Sequence, residues 1–281
     1  MLRVALPNKG GLAPAAVAML SEAGYRQRPD DADLTCLDAA NDVEFFYLRP
    51  RDIAVYVASG DLDLGVTGRD LRIDAGADVE ELLELGFGAS TFRFAARPGR
   101  FATIADLADA RIATAYPGVV WRFLDEHGIK ARVIRLDGAV ENAVGLGLAD
   151  AIGDVVDTGA TLRQAGLEPI GEPVLRSMAV LIRRSGAQQN GPVTQLVRRL
   201  SGVLVARQYV MLAYDVPTDS LDAAVRLTPG IESPTISPLR REGWVAVQAM
   251  VLRTEVHKIM DALYESGARA ILVTDIHACR L

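Results

Sequence analysis

The sequence predicts an α/β protein of two lobes separated by a cleft, followed by a smaller α+β module. Short β-branched runs alternate with helical periodicity through the first two-thirds of the chain, the signature of βαβ units and a parallel or mixed sheet. The alternation falls into two series, the chain leaving the first near Phe92 and coming back near Ile182. From about Ala213 the order becomes strand, helix, strand, strand, helix, strand, a split βαβ arrangement. The chain has 281 residues, 50% of them hydrophobic and 23% charged. That length suits about two domains, and that mix excludes disorder and a coiled coil.

The first series opens with the apolar strand Leu2 to Leu6. It stops at the turn Pro7-Asn8-Lys9-Gly10-Gly11, and an amphipathic helix follows to about Gly24. Val43 to Leu48 reads as a strand, Asp52 to Ala58 as a helix, and Leu62 to Thr67 as a strand broken by Gly68. Glu80, Glu81 and Glu84 read as the solvated face of a helix. The second series begins with the strand-like Ser90 to Ala96. Arg111 to Ala115 is a buried strand, Val119 to His127 a helix and Arg132 to Leu136 a strand. A helix starts at Ala139, and Ala151 to Val156 is a short strand. Val174 to Ile182 reads as one return strand and Pro192 to Leu212 as a long helix. The expected division is a first lobe of residues 1–91 with 183–212 and a second of 92–182, the layout of a periplasmic-binding-protein-like core. Residues 213–281 form the third part. Its strands end at Val216, lie near Thr235, and span Val245 to Leu252 and Ala270 to Thr274. Its helices are Ser220 to Leu227 and Glu255 to Ser266. That order is ferredoxin-like.

Charge and composition narrow the function. The net charge is −6 and the pI about 5.2, which excludes a non-specific nucleic-acid binder needing a basic surplus. Cys36 and Cys279 lie near opposite ends and cannot form a disulfide framework. His127, His257 and His277 are too scattered for the usual zinc spacing, and none has a partner acid or nucleophile at telling distance. The N-terminus has no apolar signal core, and no run is long enough to span a bilayer. A cytoplasmic protein without membrane partners is expected.

The stretch Glu141 to Leu162, ENAVGLGLADAIGDVVDTGATL, carries the most chemistry. An apolar strand bearing Asp154 runs into Asp157-Thr158-Gly159-Ala160-Thr161. Two threonines supply hydroxyls, Gly159 lets the backbone turn tightly enough for N–H groups to converge, and the helix from Leu162 adds its positive end. Such a turn suits a phosphate monoester, with about 1.5–3 kcal/mol from each charge-assisted hydrogen bond. Asp154, one turn back at the strand edge, is placed to accept hydrogen bonds from sugar hydroxyls. Read alone, Thr-Gly-Ala-Thr is equally a plain helix cap.

The spacing of Glu141, Gly147, Ala149, Ile152-Gly153-Asp154 and Thr158-Gly159-Ala160-Thr161-Leu162 resembles the signature of the ATP phosphoribosyltransferase family, whose reaction opens histidine biosynthesis. Leu6-Pro7-Asn8-Lys9-Gly10, Leu48-Arg49-Pro50-Arg51-Asp52-Ile53, Gly65-Val66-Thr67-Gly68-Arg69-Asp70 and Ile112-Ala113-Thr114-Ala115-Tyr116-Pro117 are similar to its other motifs. Pro229-Gly230-Ile231-Glu232-Ser233-Pro234-Thr235 resembles the regulatory domain of the family's long form, so the resemblance spans essentially the whole chain. The short form, which needs a separate regulatory partner, is excluded by this tail.

The resemblance implies transfer of the 5-phosphoribosyl group of phosphoribosyl pyrophosphate (PRPP) to N1 of ATP. It implies that Asp157, Thr158, Gly159, Ala160, Thr161 and Leu162 bind the 5′-phosphate and that Glu141 and Asp154 hold the ribose. Mg²⁺ is implied on the substrate phosphates, with Glu141 and Asp154 as candidate protein ligands. Lys9 reads alone as a surface lysine and in the family pattern as a phosphate contact. Arg49 is favoured over Arg51 for the phosphates of ATP because a guanidinium fork grips two oxygens. Asp70 reads either as the acid of a helix cap or as a nucleotide contact, and Tyr116 either as a core packer or as a residue of the active-site mouth. L-Histidine is the implied allosteric inhibitor, held by Asp215, Ile231, Ser233, Thr235 and Ala270. A homo-oligomer, dimer or hexamer, is also implied. Gly118 and Trp121 depart from the family's Asn and Arg, and Trp121 is a candidate for stacking on adenine. Two rival readings are a two-lobed binding protein without turnover and a phosphoribosyltransferase for another base. The first leaves the phosphate turn unexplained, the second the third domain.

Overall fold

The computed structural model describes residues 1–156, 159–188 and 190–280. The chain forms two compact units, Met1–Thr194 and the remainder from Gln195.

In the first unit the chain begins β1 (Leu2–Pro7), α1 (Leu12–Glu22), β2 (Thr35–Asp38), β3 (Val43–Leu48), α2 (Ile53–Ser59), β4 (Leu64–Gly68), α3 (Arg69–Ala75) and β5 (Val79–Glu84). These strands form one sheet in the order β2-β3-β1-β4-β11-β5, where β11 is Ala179–Arg184. β1 runs parallel to β3 and β4. Val4, Ala5 and Leu6, which point alternately to the two faces, are all wholly buried, as expected for a strand covered on both faces.

The second lobe continues with β6 (Ser90–Ala96), β7 (Arg111–Thr114), α4 (Pro117–Glu126), β8 (Arg132–Arg135), α5 (Asn142–Gly145), β9 (Ala151–Val156), α6 (Ala160–Gln164) and β10 (Glu168–Ser177). Its sheet order is β10-β6-β9-β7-β8, with β7 parallel to β8 and β9. Phe92, Phe94, Ile112, Val119, Val120 and Leu124 pack its core. β9 lies inside this sheet, with Asp154 near its carboxyl end.

The second unit holds most of α7 (Gly191–Gln208), then β12 (Tyr209–Pro217), α8 (Leu221–Leu227), β13 (Thr235–Pro238), β14 (Trp244–Leu252), α9 (Val256–Glu265) and β15 (Arg269–Asp275). The sheet is antiparallel in the order β13-β14-β12-β15, the ferredoxin-like arrangement. Val210, Leu212, Tyr214 and Val216 alternate into its core against Val247, Val251, Val256 and Leu263.

Three boundaries differ from those expected. Val174 to Ile182 is not one strand: β10 ends at Ser177 in the second sheet, and β11 starts at Ala179 in the first. The chain therefore returns to the first lobe at Met178, before residue 183. Residues 195–212, assigned by sequence to the first lobe, belong to the C-terminal unit. The Arg253 N–H bonds the Gln208 carbonyl at 2.9 Å, and β12 begins at Tyr209, so 213 falls inside a strand. Finally, Glu80, Glu81 and Glu84 lie on β5, whose backbone is paired antiparallel to β11. Their charges suggested a helix face, but Glu81 is held in ion pairs with Arg69 and Arg72.

Candidate active site

Parallel strands deliver whatever follows their carboxyl ends to one place, and ligands of open α/β sheets bind there. In the first lobe the ends of β1, β3 and β4 deliver Lys9, Arg49-Pro50-Arg51 and Asp70. The Asn8 N–H donates to the Leu48 carbonyl at 2.8 Å, and the Thr67 hydroxyl to the Pro50 carbonyl at 2.8 Å. These bonds tie the three strand ends together. In the second lobe β7 and β9 deliver Tyr116 and Asp154, and the Tyr116 N–H donates to Thr114 Oγ1 at 2.9 Å.

Between the lobes lies a cleft of about 490 Å³, lined by Lys9, Pro50, Gly68 and Asp70 from one side, Tyr116 and Val155 from the other, and Gly88 to Ser90 at the crossover. Asp70 is buried and fixed by Ser177, whose hydroxyl donates to Oδ1 at 2.7 Å and accepts the Asp70 N–H at 3.0 Å. Arg51 donates to Asp74 at 2.6 Å and stands 5.0 Å over the Tyr116 ring.

Electrostatics single out Asp154. Burial pushes its carboxyl up to about 6, helped by the like charges of Glu141 and Asp70 and opposed by the Val155 N–H and Arg51. Burial and the surrounding carboxylates Asp70, Asp154 and Asp74 also push the Tyr116 hydroxyl well above the usual tyrosine range. Glu141 stands at the N-cap position of α5, without a side-chain capping bond, on the same side of the sheet as α6. The turn expected to hold phosphate follows β9. Asp157 and Thr158 lie outside the described residues. Gly159 takes the left-handed conformation at φ 71° as N-cap of α6, as its role in a tight turn demands. Ala160 and Thr161 are exposed while Leu162 is buried in the core of the lobe. α6 spans only Ala160–Gln164, so its dipole is small.

Several expected residues fall elsewhere. Arg49 is exposed, and Arg51, ranked second from sequence, is the arginine turned between the lobes. Trp121 is 59% exposed and sits in a surface depression with Arg122, Asp125 and Lys130, away from the cleft-lining residues. α4 buries Val119, Val120 and Leu124 instead, which turns Trp121 outward and removes the proposed adenine stack. Arg122 pairs with Glu126 at 2.8 Å, one turn along the helix. Asp74 and Ser177 were not legible as site residues, since neither sits in a motif and both act across the lobes.

In the C-terminal unit Ile231, Ser233 and Thr235 line a groove of about 220 Å³ with Met211, Gln248 and Met250. Asp215 and Ala270 do not line it. Asp215 pairs with Ala246 and Arg269 further along the sheet. Ala270, at φ 52°, lies in the bulge that β15 makes between its pairings with Ala213 and Asp215.

Among the described residues no three histidine, cysteine or carboxylate side chains gather to hold a metal, and no helix is long and apolar enough to cross a membrane.

Comparison with known proteins gives one consistent result. Residues 49–202 match the family model described as ATP phosphoribosyltransferase, and residues 206–278 the one described as HisG, C-terminal domain. The chain is 68% identical over 281 residues to the ATP phosphoribosyltransferase of Salinispora tropica, covering 100% of both chains. It is 60% identical to that of Pseudarthrobacter chlorophenolicus, again over 100% of both. Among solved structures, a chain of the ATP phosphoribosyl transferase (HisG:HisZ) complex from Thermotoga maritima superposes with a TM-score of 0.63 at 26% identity, covering 73% of this chain and 98% of that one. The chain belongs to the ATP phosphoribosyltransferase family, in the form that carries the C-terminal domain, and is an enzyme of the first step of histidine biosynthesis.

Proposed function

We propose that the interlobe cleft is where N1 of ATP attacks C1 of PRPP, the bond from C1 to the pyrophosphate oxygen breaks, and N1-(5-phospho-β-D-ribosyl)-ATP forms. One observation carries this reading: basic residues arrive from the first lobe while the Asp154 carboxyl and Tyr116 arrive from the second. Residues 157–162 hold the 5′-phosphate, Glu141 and Asp154 the ribose hydroxyls, and Lys9 faces a phosphate. Asp70 and Tyr116 contact ATP, and Arg51 takes the role expected of Arg49. The leaving group is a good one and the transition state has oxocarbenium character. The protein therefore positions two polyanions and stabilises charge rather than supplying a nucleophile and base.

The donor set suits Mg²⁺. A half-buried carboxyl pushed up to about 6 beside Glu141 marks a place that a hard cation relieves, and oxygen is its preferred ligand. Glu141 and Asp154 would hold Mg²⁺ with the substrate phosphates; when bound it neutralises the pyrophosphate charge.

Histidine binds the groove formed by Ile231, Ser233 and Thr235 and inhibits from there; a coupling of about 1–3 kcal/mol shifts apparent affinity roughly 5–150-fold. The exposed edge strand β15, with Leu272 64% exposed, is suited to assembly of copies into a homo-oligomer, working in the cytoplasm. The deciding assay follows the absorbance of phosphoribosyl-ATP from ATP, PRPP and Mg²⁺, with and without L-histidine. Product that falls with histidine supports both proposals; substrate binding without turnover would favour a two-lobed binding protein. Replacing Ser233 by Ala together with Thr235 by Val should raise the half-inhibitory histidine concentration about tenfold.

A further inference from the structure

α3 belongs to the first lobe in sequence and is held by both lobes in space. On its own side Arg69 reaches Glu81 at 2.7 Å and Glu84 at 2.6 Å, and Arg72 reaches Glu81 at 3.0 Å. On the other side Ile73 packs on the second-lobe core that contains Phe92, Val119 and Val120. One residue later, Asp74 Oδ1 accepts the Gly118 N–H at 2.8 Å and Oδ2 accepts Arg51 Nη1 at 2.6 Å. The Asp74 side chain is only 6% exposed. A carboxylate there sits at the start of α4, where N–H groups have no partner within the helix. The backbones meet so closely that a Cβ on Gly118 would fall on the Asp74 carbonyl. With the backbones this close, only glycine fits at residue 118 without a shift of α3 or α4.

The groups gathered at this junction are those that face substrate. Asp70 stands one turn before Asp74 on the same helix. Arg51, bound to Asp74, lies over the Tyr116 ring, and Tyr116 is the N-cap of α4. We propose that Asp74 is a positioning residue for the transfer reaction, clasping α3 to the start of α4 so that the width of the cleft and the aim of Arg51 and Tyr116 are set before substrates arrive. This rests on the cleft being the reaction site. Two reactants must be brought to within about 3–3.5 Å in line, and a misplacement of about 1 Å costs roughly a hundredfold in rate. The angle between two lobes is the coordinate most able to cause one. Each substrate keeps its own contacts when the clasp is lost, so the loss falls on kcat more than on KM.

The test uses the full chain with Asp74→Ala, Asp74→Asn and Gly118→Ala, which break the junction from opposite sides. Steady-state kcat and KM for ATP and PRPP are measured with the melting temperature. The distance between spin labels at Val55→Cys and Asp125→Cys, both exposed, is measured in a Cys279→Ser background. Asp74→Ala and Gly118→Ala should lower kcat about ten- to a hundredfold, shift both KM values much less, and broaden the interlobe distance. Asp74→Asn retains a carbonyl acceptor for the Gly118 N–H but loses the charge facing Arg51, and should fall between them and the parent. Unchanged kcat in folded Asp74→Ala or Gly118→Ala, or a lowered kcat with an unaltered distance distribution, overturns the clasp. Should Asp74→Ala fail to fold, the other two variants decide by the same criteria. Asp154→Asn is the control for the underlying reading. If it keeps full turnover the cleft assignment fails; if it loses turnover while the Asp74 variants keep theirs, only the clasp fails.

Discussion

In the first lobe β1, β3 and β4 run parallel and end in Lys9, Arg49-Pro50-Arg51 and Asp70; in the second, β7 and β9 run parallel and end in Tyr116 and Asp154. The backbone device is the same, and the side chains it carries are not. The first lobe brings cations, and its acid, Asp70, is locked by two hydrogen bonds to Ser177. The second brings a carboxyl that burial pushes up to about 6 beside Glu141. One lobe holds its acids Asp70 and Asp74 in bonds to Ser177 and Arg51, although burial also pushes Asp74 up. The other keeps a charge in a place that destabilises it, as happens where strain serves chemistry.

The largest effect that would test this contrast is Asp154→Asn. It should lower kcat/KM for PRPP about a hundredfold. Folding raises this carboxyl from its ordinary 3.8 to about 6. Its stability contribution is thus complete below 3.8 and is lost as pH rises through about 6. The amide carries no such cost, so the variant should melt higher than the parent near pH 8 and match it near pH 4. A fall in melting temperature at the higher pH would contradict the contrast. The parent's kcat/KM should also fall on the acid side with an apparent pKa near 6, reporting the free enzyme. Asp154→Asn should lose that limb, and any limb left belongs to the substrate phosphates.

Next in size, Thr161→Val should raise the PRPP concentration needed about tenfold and leave the melting temperature in place, since Thr161 is exposed. Normal PRPP kinetics would remove the phosphate turn from the second lobe's account. The smallest effect belongs to the first lobe. Ser177→Ala frees the Asp70 carboxylate and should lower kcat/KM for ATP about three- to tenfold while costing about 1–3 kcal/mol of stability. A PRPP effect larger than the ATP effect would mean that Asp70 serves the other substrate.

Much of the molecule is legible in one dimension because the relevant forces are local. Alternating burial along β12 follows from side chains pointing to opposite faces of a strand, and the break at Gly68 from the turn into α3. The motif from Glu141 to Leu162 lies within one βαβα passage, so its spacing survives in the sequence. The misread parts are those where a distant segment decides. Val79–Glu84 carries helix-like charges but becomes β5 because β11, about a hundred residues later, supplies its backbone partners. Val174 to Ile182 is mostly apolar, broken only by Arg176 and Ser177, yet divides at Met178 because two sheets claim its halves. Trp121 is by its position in a motif a candidate for stacking on adenine, and the apolar face of α4 turns it outward.

By itself the sequence determined the α/β class, the ferredoxin-like tail, the family, and the residues that follow the carboxyl ends of strands, since periodicity and short motifs encode what neighbours along the chain do. Only the tertiary structure decided which arginine turns between the lobes, what restrains Asp70, and why residue 118 is glycine. Those outcomes depend on desolvation and on contacts between segments far apart in the chain, and neither leaves a trace in local spacing.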